Sequence, residues 1–332
     1  MTAGKLPPSL DQLAIQLRQT LGIQHKRDIQ TAADRLGRWV ASPENSHPIH
    51  LGDDCAAIPN GDGYLLLAAE GLWPVLVEAE PWFAGWCAVL VNVSDIYAMG
   101  GRPLAVVDAL WSQSTESAAA LWAGMLAASK AFNVPIVGGH TNCHSTYDAI
   151  GVAILGRAQK LLTSFDAQPG DVLVLVADFE GQPHAKYPFW DAATMKAPTD
   201  LQANLALLPQ LAESELCDTA KDISMGGLIG TTLMLLETSG CGAMLDLDAI
   251  PCPPALALEQ WLISFPSYGF LLSVRPENMA AVQSLFRTRQ LVCEPIGIVT
   301  SGSTLSLQQA GECQEFWDLQ QDGLTGFSRQ GH

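Results

Sequence analysis

Hydrophobic and polar positions follow a helical period in several parts of the chain. Near the N-terminus, apolar residues at helical spacing follow a Ser or an Asp in two segments, "SLDQLAIQLRQTLG" and "DIQTAADRLGRWV", as is typical of capped amphipathic helices. In a third segment, Pro opens the first turn, glycines follow the end, and apolar side chains share one face, in "PWFAGWCAVLVNVSDIYAMGG". The pattern predicts that this core helix ends near Asp95.

Apolar runs of strand length alternate with helices over roughly residues 40–160. The strand candidates are "YLLLAAEG", "RPLAVVDALW", "VPIVGGHTN" and "YDAIGVAILGRA", and "ESAAALWAGMLAASKAF" is an alanine-rich helix among them. This alternation predicts an α/β or α+β fold. After a boundary in "SFDAQPGDVLVLVAD", helices and strands alternate again as far as "PIGIVTSG".

The length of the chain sets the domain organisation that we expect. A chain of 332 residues, 48% of them hydrophobic, is long enough for two domains with separate cores. The pattern predicts a helical segment (residues 1–40), a sheet domain (41–165), an α+β domain (166–310) and a C-terminal tail (311–332).

The net charge limits the kinds of partner that we expect, and the N-terminal segment and the cysteines indicate the cellular compartment. The net charge is −17, from 34 acidic and 17 basic residues, so we expect neither a nucleic-acid nor an anionic-membrane partner. The start, "MTAGKLPPSLDQLAIQL", lacks the apolar region of a secretion signal, and no apolar run reaches membrane-spanning length, which predicts a cytoplasmic protein. The eight cysteines form no C-x-x-C pair, so reduced thiols are expected.

Carboxylates stand at the ends of predicted elements, often beside glycines. Two of them, Asp53 and Asp54, are adjacent like charges, which repel each other unless a cation lies close by. The others in this group are Glu70, Asp95 and Asp222. Carboxylate oxygens suit Mg²⁺, which commonly links them to nucleotide phosphates. Each one alone could equally cap a helix or form a turn, but their joint placement favours a metal site.

A glycine turn follows one apolar strand in "GGHT", residues 138–141. Its glycines would let backbone N–H groups approach an anion closely. His140 and His144 flank Cys143 at a spacing that would suit a transition metal on a helix, although the glycines argue against a helix here. His140 could instead donate to a phosphate, act in acid–base chemistry, or be a structural histidine.

The order of these motifs resembles the aminoimidazole-ribonucleotide synthetase, or PurM-like, superfamily over roughly residues 45–300. The most specific part is "VNVSDIYAMGGRP" followed by "GGHT". Members include thiamine-monophosphate kinase, selenophosphate synthetase, the hydrogenase-maturation carbamoyl dehydratase and formylglycinamidine synthetase. The resemblance implies a two-domain PurM-like fold whose N-terminal sheet domain forms a homodimer, with ATP and Mg²⁺ in a cleft between this domain and the C-terminal α+β domain.

The resemblance also implies roles for individual residues. The implied Mg²⁺ ligands are Asp53, Asp54, Glu70, Asp95 and Asp222. The implied nucleotide contacts are Asn92, Gly138, Gly139, Thr141, Arg157 and Ser224. His140 and Asp222 are the residues that we expect to take part in catalysis.

Several positions depart from the relatives. Glu70 and His140 stand where relatives usually have Asp, and Met225 replaces a second carboxylate of the thiamine kinase. The carboxylate-rich substrate stretch of that kinase is replaced by "SFPSYGF", and the reactive Cys of selenophosphate synthetase is not visible. We therefore expect a member distinct from thiamine-monophosphate kinase, selenophosphate synthetase and the hydrogenase-maturation protein.

Two functions of different class fit these observations. The first is an ATP- and Mg²⁺-dependent phosphoryl-transfer enzyme acting on a small molecule, with activation of an amide or a carboxylate as one form of the reaction. The second is a nucleotide-binding regulatory or scaffold protein without turnover, because Glu70, His140 and Met225 alter one metal cluster. The long aromatic loop over residues 179–196 is expected to contact the substrate, or to form a dimer or surface contact.

Overall fold

The computed structural model describes residues 8–40, 49–265 and 269–327. Its helices are α1 (Leu10–Arg18), α2 (Leu21–Lys26), α3 (Asp28–Val40), α4 (Pro74–Ala79), α5 (Pro81–Ala98), α6 (Thr115–Phe132), α7 (Pro198–Leu205), α8 (Leu207–Glu213), α9 (Gly227–Ser239), α10 (Leu258–Trp261) and α11 (Met279–Arg287). Its strands are β1 (Ala56–Asn60), β2 (Gly63–Gly71), β3 (Arg102–Trp111), β4 (Ile136–Asn142), β5 (Ala149–Ala158), β6 (Val172–Ala177), β7 (Gln182–Pro183), β8 (Trp190–Asp191), β9 (Thr219–Asp222), β10 (Gly242–Asp246), β11 (Gly269–Val274), β12 (Val292–Thr300), β13 (Thr304–Gln309) and β14 (Glu312–Asp318).

The first domain is a five-stranded sheet covered by helices on one side. Its strand order is β1-β2-β5-β3-β4, and only β3 and β4 run parallel. Helix α5 packs on the sheet and α6 packs on α5, so alternate strand residues such as Val152 and Ile154 are buried. On the opposite face, Leu67, Val107 and Leu155 are exposed. Helix α5 runs past Asp95 to Ala98, because Gly100 (φ +71°) supplies the left-handed residue that ends it.

The second domain is a seven-stranded mixed sheet. Its strand order is β14-β13-β10-β12-β6-β11-β9, which places β9 at the edge next to the first domain. Side chains of the central strand β6 alternate between two cores: Val174 and Val176 pack with the first domain, whereas Leu173 and Leu175 pack on the side of α9. The core that contains Val174 and Val176 is therefore shared by the two domains. None of the helices in the described ranges is both long and apolar enough to span a membrane.

Both ends of the described chain pack on the second domain. Strand β14 lies within the segment expected to be a tail, yet it pairs with β13 and buries Phe316, so the sheet extends beyond residue 310. Helix α1 packs beside it, where Arg18 Nε donates to the Phe316 carbonyl at 2.7 Å. The expected tail is thus corrected to an edge strand of the second domain, because its apolar residues complete that core. Residues 328–332 lie outside the described residues.

A buried carboxylate holds the segment that follows β14, and its removal is expected to destabilise the fold. Glu237 on α9 accepts N–H donors from Leu324 at 2.9 Å, Thr325 at 2.8 Å and Gly326 at 3.2 Å. We expect Glu237→Gln to lower the free energy of unfolding by about 2–3 kcal/mol, because the amide brings N–H groups to face other donors. Urea denaturation measures this loss. The exposed Glu312→Gln is the matched control, and an equal effect of both changes would contradict the assignment.

Candidate active site

Three carboxylates meet where the two domains join. Asp54 lies in the loop before β1, Asp95 in the last turn of α5, and Asp222 at the end of β9. Each offers one oxygen, and these three oxygens all lie within 4.8 Å of one another. Such close like charges repel in a buried setting, so the cluster is arranged to receive a cation.

Asp95 is a buried member of this cluster. The residue is 6% exposed, and its Oδ2 atom has no hydrogen-bond partner among the described residues. Burial, followed by repulsion from Asp222, Glu70 and Asp54, raises the pKa of Asp95 well above its ordinary value. A buried carboxylate oxygen without a partner is costly, so this oxygen is one that could bind a cation. One turn earlier on α5, Asn92 donates to the Ala88 carbonyl at 2.9 Å.

Lys221 resolves the repulsion between the two adjacent aspartates. This buried residue donates from Nζ to Asp54 Oδ1, and Nζ also lies 4.0 Å from Asp53 Oδ1. Burial lowers the pKa of Lys221, but Asp54 and Asp53 raise it by more, so the ammonium stays charged. Burial also raises the pKa of Asp53 to about 6, against the opposing effect of Lys221. Asp53 further accepts the Ser164 N–H at 2.9 Å, so it fixes the loop and leaves Asp54 to face the cluster.

The turn after β9 is fixed by backbone and hydroxyl contacts. The Asp222 N–H donates to Asp54 Oδ2 at 3.1 Å, and Thr231 Oγ1 donates to the Asp222 carbonyl at 3.2 Å. Lys26 Nζ donates to Ser224 Oγ at 3.3 Å, so the N-terminal helices bring a second lysine to the site. A Cβ at Gly22 would lie 2.6 Å from the Gly226 nitrogen, and only glycine lets α2 approach this closely.

A cleft opens beside the carboxylates. Glu70, Asp95, Asp222, Ser224 and Lys26 supply its polar side, and Met225 also lines it. Its apolar side is a group of aromatic rings, with Trp73 and Phe265 edge to face at 5.6 Å and Phe189 and Phe265 at 4.8 Å. The cleft therefore combines a carboxylate cluster with an apolar aromatic wall.

The structure does not gather all the residues expected at one site. His140 lies on the exposed face of the first sheet, with its ring 5.7 Å from that of Trp111. Arg157 lies on β5 opposite Leu65, on this same face. Gly138, Gly139 and Thr141 belong to β4, the edge strand. Catalytic or nucleotide-binding roles for these five residues remain predictions.

The loop over residues 179–196 packs against the first domain. Its His184 Nε2 lies 3.0 Å from Glu80 Oε2, and its ring stacks on Phe83 at 5.2 Å. Phe189 reaches the cleft, whereas Trp190 is buried and packs on Trp261 at 5.7 Å. The loop therefore contributes to the cleft through Phe189, while Trp190 belongs to the core of the second domain.

Sequence reasoning missed Lys221, Lys26 and Trp73. Lys221 carried a usable signal, since it stands directly before Asp222 in "DTAKDISM", and a lysine that is buried needs a counter-charge close by. Lys26 carried no comparable signal, because it lies in a polar helix about 200 residues from its partner. Trp73 follows β2 without any motif, so only the fold shows that it lines the cleft.

Comparison with known proteins agrees with this architecture. The AIR synthase related protein N-terminal domain matches residues 52–158, and the corresponding C-terminal domain matches residues 168–309. The chain is 62% identical over 322 residues to the Uncharacterized protein sll0787 of Synechocystis sp., covering 96% of this chain and 99% of that protein.

Two solved structures share the fold. One is T. maritima PurL complexed with ATP, with a TM-score of 0.75 and 18% identity, covering 96% of this chain and 53% of that chain. The other is AaThiL complexed with AMPPCP and TMP, with a TM-score of 0.66 and 18% identity, covering 86% of this chain and 96% of that chain. The chain thus spans about half the length of the PurL chain. These matches confirm the resemblance drawn from the order of the motifs, and the chain belongs to the AIR synthase related protein family.

Proposed function

We propose that this protein is an ATP- and Mg²⁺-dependent enzyme that transfers a phosphoryl group to a small molecule. The observation that carries the proposal is the convergence of Asp54, Asp95 and Asp222 oxygens within 4.8 Å. Three carboxylates from two domains, with one oxygen lacking a partner, form an oxygen-only donor set of the kind that Mg²⁺ prefers. The residues present therefore fit this ion.

When bound, Mg²⁺ would neutralise the phosphates and the charge that develops during transfer. The chain's own residues do the positioning. Lys221 holds Asp54 in place, and the Asp222 N–H fixes the other oxygen of Asp54. Lys26 keeps donors that Ser224 does not use, and these can bind a phosphate oxygen. The aromatic wall limits the access of water, which would compete as acceptor.

ATP is the proposed phosphoryl donor. PurL and AaThiL share this fold and have been solved with ATP and with AMPPCP, which supports a nucleotide in the cleft. Glu70 lines the same cleft and is proposed as an additional ligand, one methylene longer than an Asp. Asn92 and Ser224 are proposed as nucleotide contacts because they adjoin Asp95 and Asp222 in the chain.

The test of the proposal is the release of ADP. Purified protein is incubated with Mg-ATP and small amides, carboxylic acids or alcohols, and ADP is quantified by chromatography. Acceptor-dependent ADP release that stops on addition of EDTA supports the enzyme. Tight binding of Mg-ATP without ADP release under any acceptor would instead favour the nucleotide-binding scaffold, the second function considered from the sequence.

The exposed face of the first sheet is proposed as the homodimer interface. Leu67 and Leu155 stand directly opposite each other on β2 and β5, and both are exposed. Val107 extends this apolar patch onto β3, opposite Ala153. A sheet with helices on one side leaves its other face to a partner. Two copies would also contain about as much chain as one PurL molecule, of which this chain covers 53%.

Val107→Arg is expected to convert the dimer to a monomer. A guanidinium in the middle of the patch would be buried without a partner, so the dissociation constant should rise at least about 100-fold. Light scattering coupled to size-exclusion chromatography measures the mass. Leu126→Arg on α6, on the helical side and 50% exposed, is the matched control. A monomeric native protein, or a dimeric Val107→Arg variant, would contradict the interface.

A further inference from the structure

A second, larger groove lies beside the cleft. Its walls come from both domains and from α2. Its apolar lining includes Leu21, Trp73, Pro74, Val75, Tyr187 and Phe265. Leu21 and Val75 are 68% and 65% exposed, which is unusual for side chains of this size.

The groove adjoins the proposed active site. Trp73 and Phe265 line both spaces, and neighbouring residues of the chain, His25 and Lys26, line one space each. A molecule lying in the groove could therefore place one end past Trp73, next to Lys26 and the carboxylate cluster.

The charge of the groove differs from that of the whole chain. The chain has 34 acidic and 17 basic residues, yet the described residues that line the groove include no Asp or Glu. Their ionisable side chains are His25, Lys186 and Tyr187. Lys186 Nζ lies 3.5 Å from Glu80 Oε1, so His25 and the adjoining Lys26 are the basic groups left to meet a ligand. The neighbouring cleft carries Glu70, Asp95 and Asp222, so an anionic end is favoured beside Lys26 and His25 only when Mg²⁺ neutralises these carboxylates, as in the proposed function.

We infer that this groove binds the phosphoryl acceptor and that the acceptor is an aromatic carboxylic acid. The inference rests on the proposed function. The ring packs against Trp73, Tyr187 and Phe265, whose edge-to-face arrangements suit a further aromatic ring. The carboxylate lies at Lys26, which donates to Ser224 through one of its three N–H groups.

The proposed reaction needs only ATP and the carboxylate as reactants. A carboxylate oxygen forms a bond to the γ-phosphorus of ATP, and the bond from that phosphorus to the β,γ-bridging oxygen breaks. The electron pair leaves with ADP, and the product is an acyl phosphate. No proton is transferred, because the acceptor enters as the anion.

The test is calorimetric titration with benzoate, 3-phenylpropionate and indole-3-acetate, with 3-phenylpropanol and acetate as comparisons. We compare the native protein with Val75→Glu, which adds a negative charge to the groove, and with Ile15→Glu on α1, at a site 53% exposed and outside the groove. We expect at least one aromatic acid to bind the native protein and Ile15→Glu equally. Its dissociation constant for Val75→Glu should be at least about tenfold higher.

Mg-ATP titrations of the same three proteins separate this inference from the proposed function. Equal Mg-ATP affinity in all three, together with loss of acid binding in Val75→Glu alone, supports the groove. The inference is overturned if no aromatic acid binds, if 3-phenylpropanol binds as tightly as 3-phenylpropionate, or if Val75→Glu has no effect. Failure of Mg-ATP to bind the native protein would overturn the proposed function instead, whatever the acids do.

Discussion

Asp95→Asn is expected to abolish Mg²⁺-dependent ATP binding and, at the same time, to stabilise the metal-free protein. Asp95 Oδ2 is buried, has no hydrogen-bond partner in the part of the chain that the structure describes, and lies in a cluster with Asp54 and Asp222. The neutral amide removes a ligand charge, so Mg-ATP affinity should fall at least about 100-fold. It also removes repulsion inside the cluster, which should raise the free energy of unfolding by about 1–2 kcal/mol.

The stabilisation of the metal-free protein by Asp95→Asn should depend on pH in a definite direction. The pKa of Asp95 is raised in the folded protein, so its ionisation disfavours folding as the pH rises above the ordinary Asp value. The stabilisation by Asp95→Asn should therefore be larger at pH 8 than at pH 5, as measured by urea denaturation in EDTA. Asp62→Asn, in the exposed turn between β1 and β2, is the control. Unchanged Mg-ATP binding by Asp95→Asn would remove this residue from the metal site.

Lys221→Met is expected to cause the largest loss of stability. The ammonium is buried between Asp53 and Asp54, whose side chains are 1% and 5% exposed. Removing one member of a buried ion pair typically costs about 3–5 kcal/mol, because the remaining charges are left uncompensated. Added Mg²⁺ should restore part of this stability, since the ion can neutralise the same carboxylates.

Thermal and urea denaturation with EDTA or with Mg²⁺ measure both effects. The control is Lys160→Met, at a lysine that pairs with Glu215 at 2.9 Å on the surface and is 58% exposed. It should leave the free energy of unfolding close to that of the native protein, because an exposed ion pair contributes little to stability. If Lys221→Met were as stable as Lys160→Met, Lys221 would not hold the loop as the structure indicates.

The fold could be predicted from the sequence wherever the hydrophobic positions followed either a helix period or a strand period. Helix α5 begins, and strands β2, β3 and β5 lie, where their patterns placed them, because burial of one face decides both period and position. Residues 138–141, expected to form a glycine turn, instead lie within the exposed edge strand β4. The prediction of a C-terminal tail was wrong because "ECQEFWD" pairs with partners elsewhere in the chain. Phe316, for example, accepts a hydrogen bond from Arg18, which comes much earlier. Residues 266–268, within "SFPSYGF", lie outside the described residues, so their relation to a substrate remains a prediction.

The carboxylate cluster could also be predicted from the sequence. Asp54, Asp95 and Asp222 belong to motifs whose spacing is kept by short elements, and the fold brings them together. Lys26 and Trp73 were not predictable, because their contacts depend on how α2 and the segment after β2 meet the second domain. Long-range packing of this kind leaves no local pattern, whereas a carboxylate at the end of an element does.

The most direct test of the account is calorimetric titration of the native protein with ATP, with and without Mg²⁺. Asp54, Asp95 and Asp222 can bind the phosphates only through a cation, so the account predicts saturable binding with Mg²⁺ and a loss of at least about 100-fold in EDTA. Absence of binding in both conditions, or equal affinity with and without Mg²⁺, would contradict it.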